Sequence, residues 1–187
     1  MNLRDAINEI LLSINEMPLD IEDSVEDIQT AIIVNKQLEI SKRNILSQGW
    51  YFNKTKRYLK PDLSGYIAIP STFLSVDGSD AYESIVIRDN KLFDKSKLVY
   101  KFTEPIECEI VEDMTFDDIP YIFADYIVKA ASLNTYVNII GYTRDISIRT
   151  DVVALARADA IREDARNTDG NILSSDFLTS LIDRTSM

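Results

Sequence analysis

The chain has 187 residues, 45% hydrophobic and 27% charged, so it is long enough to bury one sizeable core or two lobes. It has no histidine and one cysteine, Cys108, which excludes histidine-based catalysis, histidine zinc sites and an intrachain disulfide. The formal net charge of −11 disfavours a protein that wraps duplex DNA, because such binding depends on neutralising phosphates with Lys and Arg.

The first predicted helix covers about residues 3–15, and its apolar residues recur at helical spacing. That stripe consists of Leu3, Ile7, Ile10 and Ile14. The second helix is predicted at about residues 24–48, with Ser24 as N-cap and Asp27 as its reciprocal partner in a capping box. Its predicted core face consists of Ile28, Ala31, Ile32, Leu38, Ile45 and Leu46.

The period of the pattern changes from helix to strand at the stretch "QGWYFN". Gly49 fits the left-handed position that follows a helix end, and Trp50 begins the alternation of a strand. We predict that Gly49, Trp50 and Phe52 form the junction between a helical core and a β core. Further strands are predicted in "YIAIP", "KLVYKF" and "IECEIV", and a hairpin that turns at Asp89-Asn90 in "ESIVIRDNKLFD". Residues 50–112 therefore form a small antiparallel region of five or six strands.

Two more helices are predicted after this region. The third begins with Asp118 as its cap and Pro120 in its first turn. Its apolar stripe consists of Phe123, Tyr126, Ile127, Ala130, Leu133 and Val137. The fourth covers about residues 145–166 and presents small residues that favour close approach of a neighbouring helix. These residues are Ala154, Ala158, Ile161 and Ala165.

The last predicted segment, residues 169–187, is polar apart from one apolar group. Four apolar side chains are too few for a core but enough to anchor an arm on a neighbouring chain. We predict an arm that is disordered when free, anchored through Phe177, Leu178, Leu181 and Ile182.

The order of these elements predicts an α+β fold. Each terminal pair of helices must bury an apolar face, and each pair is the nearest partner for the other. We therefore predict a four-helix bundle from residues 1–49 and 113–168, an inserted β lobe at 50–112, and an extended C-terminal arm at 169–187.

No pattern of residues predicts an enzyme. Asp117 and Asp118, like Glu107 and Glu109, are paired acids of the kind that glycosidases use, but a helix start and the solvent face of a strand explain them. Cys108 lies between glutamates on a strand and is predicted to be a buried small hydrophobic residue. We assign no catalytic residue, no cofactor and no metal ligand.

Several blocks of the sequence occur together, in one order, in a known family. They are "DAINEILLSINEMPL", "ILSQGWYFN", "YLKPD" with "GYIAIPSTFLSVD", "RDNKLFD" and "FDDIPYIFADYIVKAAS". In these blocks the chain resembles the tail tubular protein A family, the head-to-tail adaptor or gatekeeper proteins of short-tailed bacteriophages. The most specific elements are the Q-G-W-x-F-N junction, from Gln48 to Asn53, and the helix start "DDIP". The resemblance covers about residues 3–140, and "NILSSDFLTSLIDRTSM" departs from it.

The resemblance implies a structural protein of the virion, located in the tail at the portal vertex after assembly in the host cytoplasm. Family members form a dodecameric ring beneath the portal protein and carry a nozzle or a further ring. The implied fold is a helical bundle with an inserted β lobe. Genomic DNA is expected to pass through the ring without specific binding, since an acidic lumen repels it, and no membrane partner is expected.

Two other functions stay open on the sequence alone. The first is a soluble binding module with its ligand on the aromatic face of the β lobe, where "KTKRY" with Tyr51, Phe52 and Tyr58 resembles a platform for single-stranded nucleic acid. The second, ranked after it, is a virion-associated glycan hydrolase that uses acidic side chains.

Overall fold

The computed structural model describes residues 1–79 and 84–172, with side chains described as far as residue 168. Over these residues the fold is α+β, as predicted, with four α-helices and small antiparallel sheets. The helices are α1 (Leu3–Ser13), α2 (Gln29–Leu46), α3 (Tyr121–Ile139) and α4 (Ile146–Ile172). The strands are β1 (Lys54–Leu59), β2 (Phe73–Gly78), β3 (Ile85–Arg88), β4 (Lys91–Asp94) and β5 (Ile106–Glu112).

The chain divides into two compact units. One holds Met1–Ser41 and the segment that begins at Ile119, and the other holds Lys42–Asp118. The boundary therefore lies inside α2, N-terminal to Gly49, and one continuous helix crosses it. The functional division into bundle, inserted lobe and arm stays a prediction.

In the first unit, α3 contacts both α1 and α4. The apolar stripe of α1 is buried at Ile7, Ile10 and Ile14, as its spacing predicts. Asn2 caps this helix by accepting a hydrogen bond from the N–H of Asp5 (2.8 Å). The packing of all four helices as one bundle stays a prediction.

The second helix begins later than predicted. Ser24 caps a 3₁₀ turn, Val25–Asp27, by accepting a hydrogen bond from the N–H of Glu26 (3.3 Å). Ile28 then takes an extended conformation (φ −114°, ψ 112°), which breaks the helical path before α2. The predicted capping of α2 by Ser24 is therefore wrong. Ile28 and Ile32, both placed on the predicted core face, are exposed, whereas the other four members of that face are buried.

In the second unit, β5 lies between β1 and β2 in a three-stranded antiparallel sheet. The hairpin of β3 and β4 turns at Asp89-Asn90 as predicted, with both residues at positive φ (52° and 54°). The core of this unit includes side chains from β2, β3, β4 and β5. They are Val76, Ile85, Leu92, Ile106, Cys108 and Ile110.

Three strand predictions were wrong. Trp50 to Asn53 form a turn, so β1 begins at Lys54, because the helix end needs several residues before the chain can pair with β5. "YIAIP" and "KLVYKF" make only isolated bridges, such as Tyr66 with Lys101. β2 was not predicted, since "FLSVDG" does not alternate cleanly and a register shift interrupts its pairing with β5.

The start of α3 and the buried face of α4 also differ from prediction. Pro120, not Asp118, is the N-cap of α3, because residues Phe116–Asp118 form a separate 3₁₀ turn. On α4 the buried alanines are Ala156 and Ala160. The predicted contact face is exposed, namely Ala154, Ala158, Ile161 and Ala165.

The fourth helix also extends further than predicted. It continues to Ile172 through Gly170, whereas the prediction ended at about residue 166. A single glycine without a proline is tolerated inside a helix. Within the described ranges, no helix combines the length and the hydrophobicity needed to cross a bilayer.

Candidate functional site

The turn after α2 is held by contacts around Gly49 and Trp50. Gly49 has a φ of +75°, and a Cβ there would lie 3.0 Å from Cγ2 of Val111 on β5. Trp50 is buried, and its indole N–H donates a hydrogen bond to the carbonyl of Ile45 (2.7 Å). The sharp turn and the close approach of β5 together explain why this position holds a glycine.

The side chain of Asn53 links the end of α2 to β5 through hydrogen bonds. This role was not predicted from the sequence. Its side-chain oxygen accepts a hydrogen bond from the N–H of Trp50 (2.8 Å). Its amide donates to the carbonyls of Leu46 (3.0 Å) and Glu112 (2.9 Å). The only sequence signal for this role was the final residue of the Q-G-W-x-F-N junction.

Phe52, the third predicted junction residue, is half-buried and packs edge-on against Tyr51 with ring centroids 5.5 Å apart. Val111, Ile45 and Tyr51, the partners named for Gly49, Trp50 and Phe52, all belong to the second unit. The role of Gly49, Trp50 and Phe52 as a junction between two cores stays a prediction.

Two of the three cations of β1, Lys54 and Arg57, are paired with acids of β5. Nζ of Lys54 lies 2.6 Å from Oε1 of Glu109. The guanidinium of Arg57 binds both carboxylate oxygens of Glu112, at 2.9 and 2.6 Å. These pairs occupy two of the charges that a nucleic-acid platform on this strand needs, whereas Lys56 and Tyr58 are exposed.

Asp94 is a buried carboxylate at the end of β4. Its Oδ1 accepts hydrogen bonds from the hydroxyls of Ser96 (2.7 Å) and Ser84 (2.7 Å) and from the N–H groups of Ser96 (2.8 Å) and Lys97 (3.1 Å). These donors, the Ser96 hydroxyl foremost, hold the pKa of Asp94 well below its usual range. The arrangement stabilises the turn after β4 and is not a catalytic pair.

Of the acids considered for catalysis, Glu107 and Glu109 line one cavity of about 200 Å³ with Asp77, and Glu109 is paired with Lys54. Cys108 is buried, as predicted, and burial, with the charges of Asp77 and Glu107, raises the pKa of its thiol to about 11. Asp117 and Asp118 belong to a 3₁₀ turn. Among the described residues, no three acidic or cysteine side chains are grouped as a metal site requires.

Apolar side chains remain exposed on the helices of the first unit. On the outward side of α2 they are Ile32, Ile33 and Ile40, and on α4 they are Ile148, Val152, Leu155 and Ile161. Several exposed apolar side chains on one side of a helix, such as Ile148, Val152 and Leu155, are typical of interaction sites. The predicted arm anchors, Phe177, Leu178, Leu181 and Ile182, lie outside the described residues.

Comparison with known proteins identifies the family. The family model of the tail tubular protein matches residues 4–169. The chain belongs to this family. Tail tubular protein A of Klebsiella phage KP34 is 27% identical over 167 residues, which cover 87% of this chain and 87% of that protein. The resemblance found in the sequence is confirmed.

Membership in the tail tubular protein family makes this chain a structural protein of the bacteriophage tail, and its location is the virion tail. The family match ends at residue 169, so the C-terminal segment with the predicted anchors lies beyond it.

Proposed function

We propose that the chain is the subunit of a ring adaptor that joins the portal protein to the distal tail and contributes to the channel through which DNA leaves. Twelve copies, as the family resemblance implies, form the ring. A nozzle or a further ring protein binds its distal side. The observation that carries the proposal is the exposed apolar surface on α2 and α4 of a chain that belongs to the tail tubular protein family.

The exposed side chains have the character expected of a subunit contact. Ile32, Ile33 and Ile40 project from one side of α2, beside Lys36. In a closed ring each subunit meets its neighbours through two different surfaces, so two separate apolar faces on one unit favour a head-to-tail contact. A four-helix bundle that presents both faces fits this geometry.

The charge of the chain supports passage of DNA without binding. The net charge is −11, and two cations of β1 are held by Glu109 and Glu112. Surface of one sign repels a polyanion of the same sign. An acidic lumen lets the genome slide through the ring.

Mass measurement tests the proposal. The purified chain is analysed by native mass spectrometry and by light scattering, alone and after mixing with the portal protein of the same phage. We expect a defined multimer in the mixture, and the double variant Ile33→Asp with Ile40→Asp should lose it, because buried charges at a contact are costly. Lys36→Ala, on the same side of α2, is the matched control and should assemble.

A chain that stays monomeric and shows no affinity for the portal protein contradicts the adaptor function. The binding-module alternative then gains support, and Tyr58→Ala would test it, because that ring is the most exposed aromatic side chain of β1. The glycan hydrolase alternative rests on the cavity lined by Asp77, Glu107 and Glu109, and replacing these acids with their amides in a polysaccharide assay tests it.

A further inference from the structure

A groove in the first unit lies between α1, α3 and α4. It has a volume of about 210 Å³, and its apolar walls are Leu133 on α3 with Ile148 and Val152 on α4. Glu9 and Ser13 on α1 and Ser132 on α3 also line it. The groove is open to solvent and more than half apolar, which suits the side chains of a peptide.

Arg149 lines this groove and forms no ion pair with an acid among the described residues. The guanidinium of Arg149 lies 3.8 Å from the ring centre of Tyr136, and its Nη2 donates a hydrogen bond to the carbonyl of Ser13 (3.1 Å). Its Nε is buried and has no hydrogen-bond partner among the described residues. Lys129, which also lines the groove, is paired with Asp125. Arg149 is therefore the cation available to a carboxylate that enters the groove.

The sequence beyond α4 has the matching chemistry. Phe177, Leu178, Leu181 and Ile182 provide two adjacent apolar pairs, and Asp176 and Asp183 flank them. An apolar group between two acids can place its apolar side chains on the walls of the groove and one carboxylate on Arg149, which has no ion pair among the described residues. No other stretch of the chain outside the described residues contains such a group, since residues 80–83 read "DAYE".

The length of α4 decides which copy's tail can fill the groove. The helix from Arg149 to Ile172 spans about 34 Å at 1.5 Å per residue. Val152, the groove residue of α4 that is nearest to Ile172, lies about 30 Å from it along the helix. Phe177 can extend no more than about 18 Å beyond Ile172, and Leu178 no more than about 22 Å, even in a fully extended chain. This first apolar pair cannot return to the groove of its own chain, so a tail that packs both pairs there must come from a second copy.

We propose that residues 173–187 of one copy bind in the groove between α1, α3 and α4 of a neighbouring copy. Phe177, Leu178, Leu181 and Ile182 pack against its apolar walls, and one flanking aspartate pairs with Arg149. The proposal deepens the ring adaptor function, on which it rests, by assigning the tail to the contact between subunits rather than to the portal protein. Each copy then both donates a tail and accepts one, as a closed head-to-tail ring requires.

Disulfide trapping between two differently tagged full-length chains tests this contact. One chain carries Ile148→Cys in the groove, and the other carries Leu178→Cys in the tail. The matched control replaces the groove variant with Leu155→Cys, on the same helix, outside the groove and equally exposed (68% against 65% for Ile148). The native Cys108 is buried in the second unit and should stay unreactive.

We expect a disulfide-linked heterodimer on a non-reducing gel, at a yield several-fold above the Leu155→Cys control. Asp176→Asn with Asp183→Asn in the tail chain should lower that yield several-fold, and these changes leave the groove untouched. A single chain that carries both Ile148→Cys and Leu178→Cys should form bonds between chains and not within one.

Equal yields from the groove and control positions, or a disulfide within one chain, would overturn the proposal. The two proposals fail separately. Ring assembly with the portal protein but without the cross-link refutes the tail contact alone. A cross-link in a chain that never associates with the portal protein refutes the adaptor function and leaves the tail contact standing.

Discussion

At the scale of single residues, Asp94 and Asn53 each supply several hydrogen bonds to backbone groups that no strand or helix satisfies. Asp94 holds the turn after β4, and Asn53 holds the turn after α2. Both are short polar side chains, which readily bond to nearby backbone groups in turns. Neither role is visible in the spacing of apolar residues, so neither was predicted from the sequence.

Replacing Asp94 with Asn should lower the free energy of unfolding by about 1–3 kcal/mol at pH 7, since charge-assisted hydrogen bonds to a buried group are lost. The folded-state pKa lies below the unfolded value near 3.9, so this stabilisation is present above that value. It is lost as the pH falls through the folded-state pKa. Urea unfolding of both proteins from pH 7 down to pH 3 should show the difference shrinking below about pH 4.

Asp151→Asn is the control for this experiment. Asp151 is exposed on α4, and its replacement should change the free energy of unfolding by less than about 0.5 kcal/mol at any of these pH values. A difference between native and Asp94→Asn chains that grows as the pH falls would contradict the assigned role of the carboxylate.

At the scale of elements, two glycines allow the cost of a left-handed backbone to be measured apart from the cost of a steric clash. Gly49 and Gly141 both have positive φ (+75° and +92°), and each follows a helix. A Cβ at Gly49 would meet Val111 at 3.0 Å, whereas one at Gly141 would meet nothing within 4 Å. The same substitution therefore tests two different costs.

Gly141→Ala should destabilise the chain by about 1 kcal/mol, the cost of a left-handed conformation for a residue with a Cβ. Gly49→Ala should cost about 2–3 kcal/mol, because β5 must also shift away. Thermal or urea unfolding measures both variants. Equal losses would show that the approach of β5 to Gly49 contributes nothing.

The elements also show what apolar spacing can and cannot predict. The stripe of α1 and the Asp89-Asn90 hairpin were predicted because isoleucines at helical spacing and a tight polar turn leave one interpretation. On α4 alanines occur at 154, 156, 158 and 160, so two opposite faces have similar hydrophobicity and the buried one depends on tertiary contacts. The start of α2 was missed because Ile28 continues the apolar spacing while its backbone is extended.

The candidate site was also only partly predictable from the sequence. The sequence indicated a family and a tail with four anchoring side chains, and the family is confirmed. It did not indicate the groove with Arg149, because that groove combines residues from three helices that are far apart in the chain. Only a structure brings such residues together.

At the scale of the whole molecule, the net charge determines whether the chain binds nucleic acid. With a net charge of −11, the protein should leave the anisotropy of a fluorescent DNA duplex unchanged at physiological ionic strength. The double variant Glu109→Gln with Glu112→Gln releases Lys54 and Arg57 from their acidic partners. It should bind single-stranded DNA measurably at low salt, and strong binding by the native chain would contradict passage without contact.

The reactivity of the single cysteine of the chain, Cys108, can report local opening of the second unit. Cys108 is fully buried, and with a thiol pKa of about 11 it holds little of the reactive thiolate at neutral pH. A thiol reagent can therefore react with Cys108 only when the sheet opens locally around β5. The rate of modification then reports how often this opening occurs. A binding partner that stabilises this sheet should therefore slow the modification.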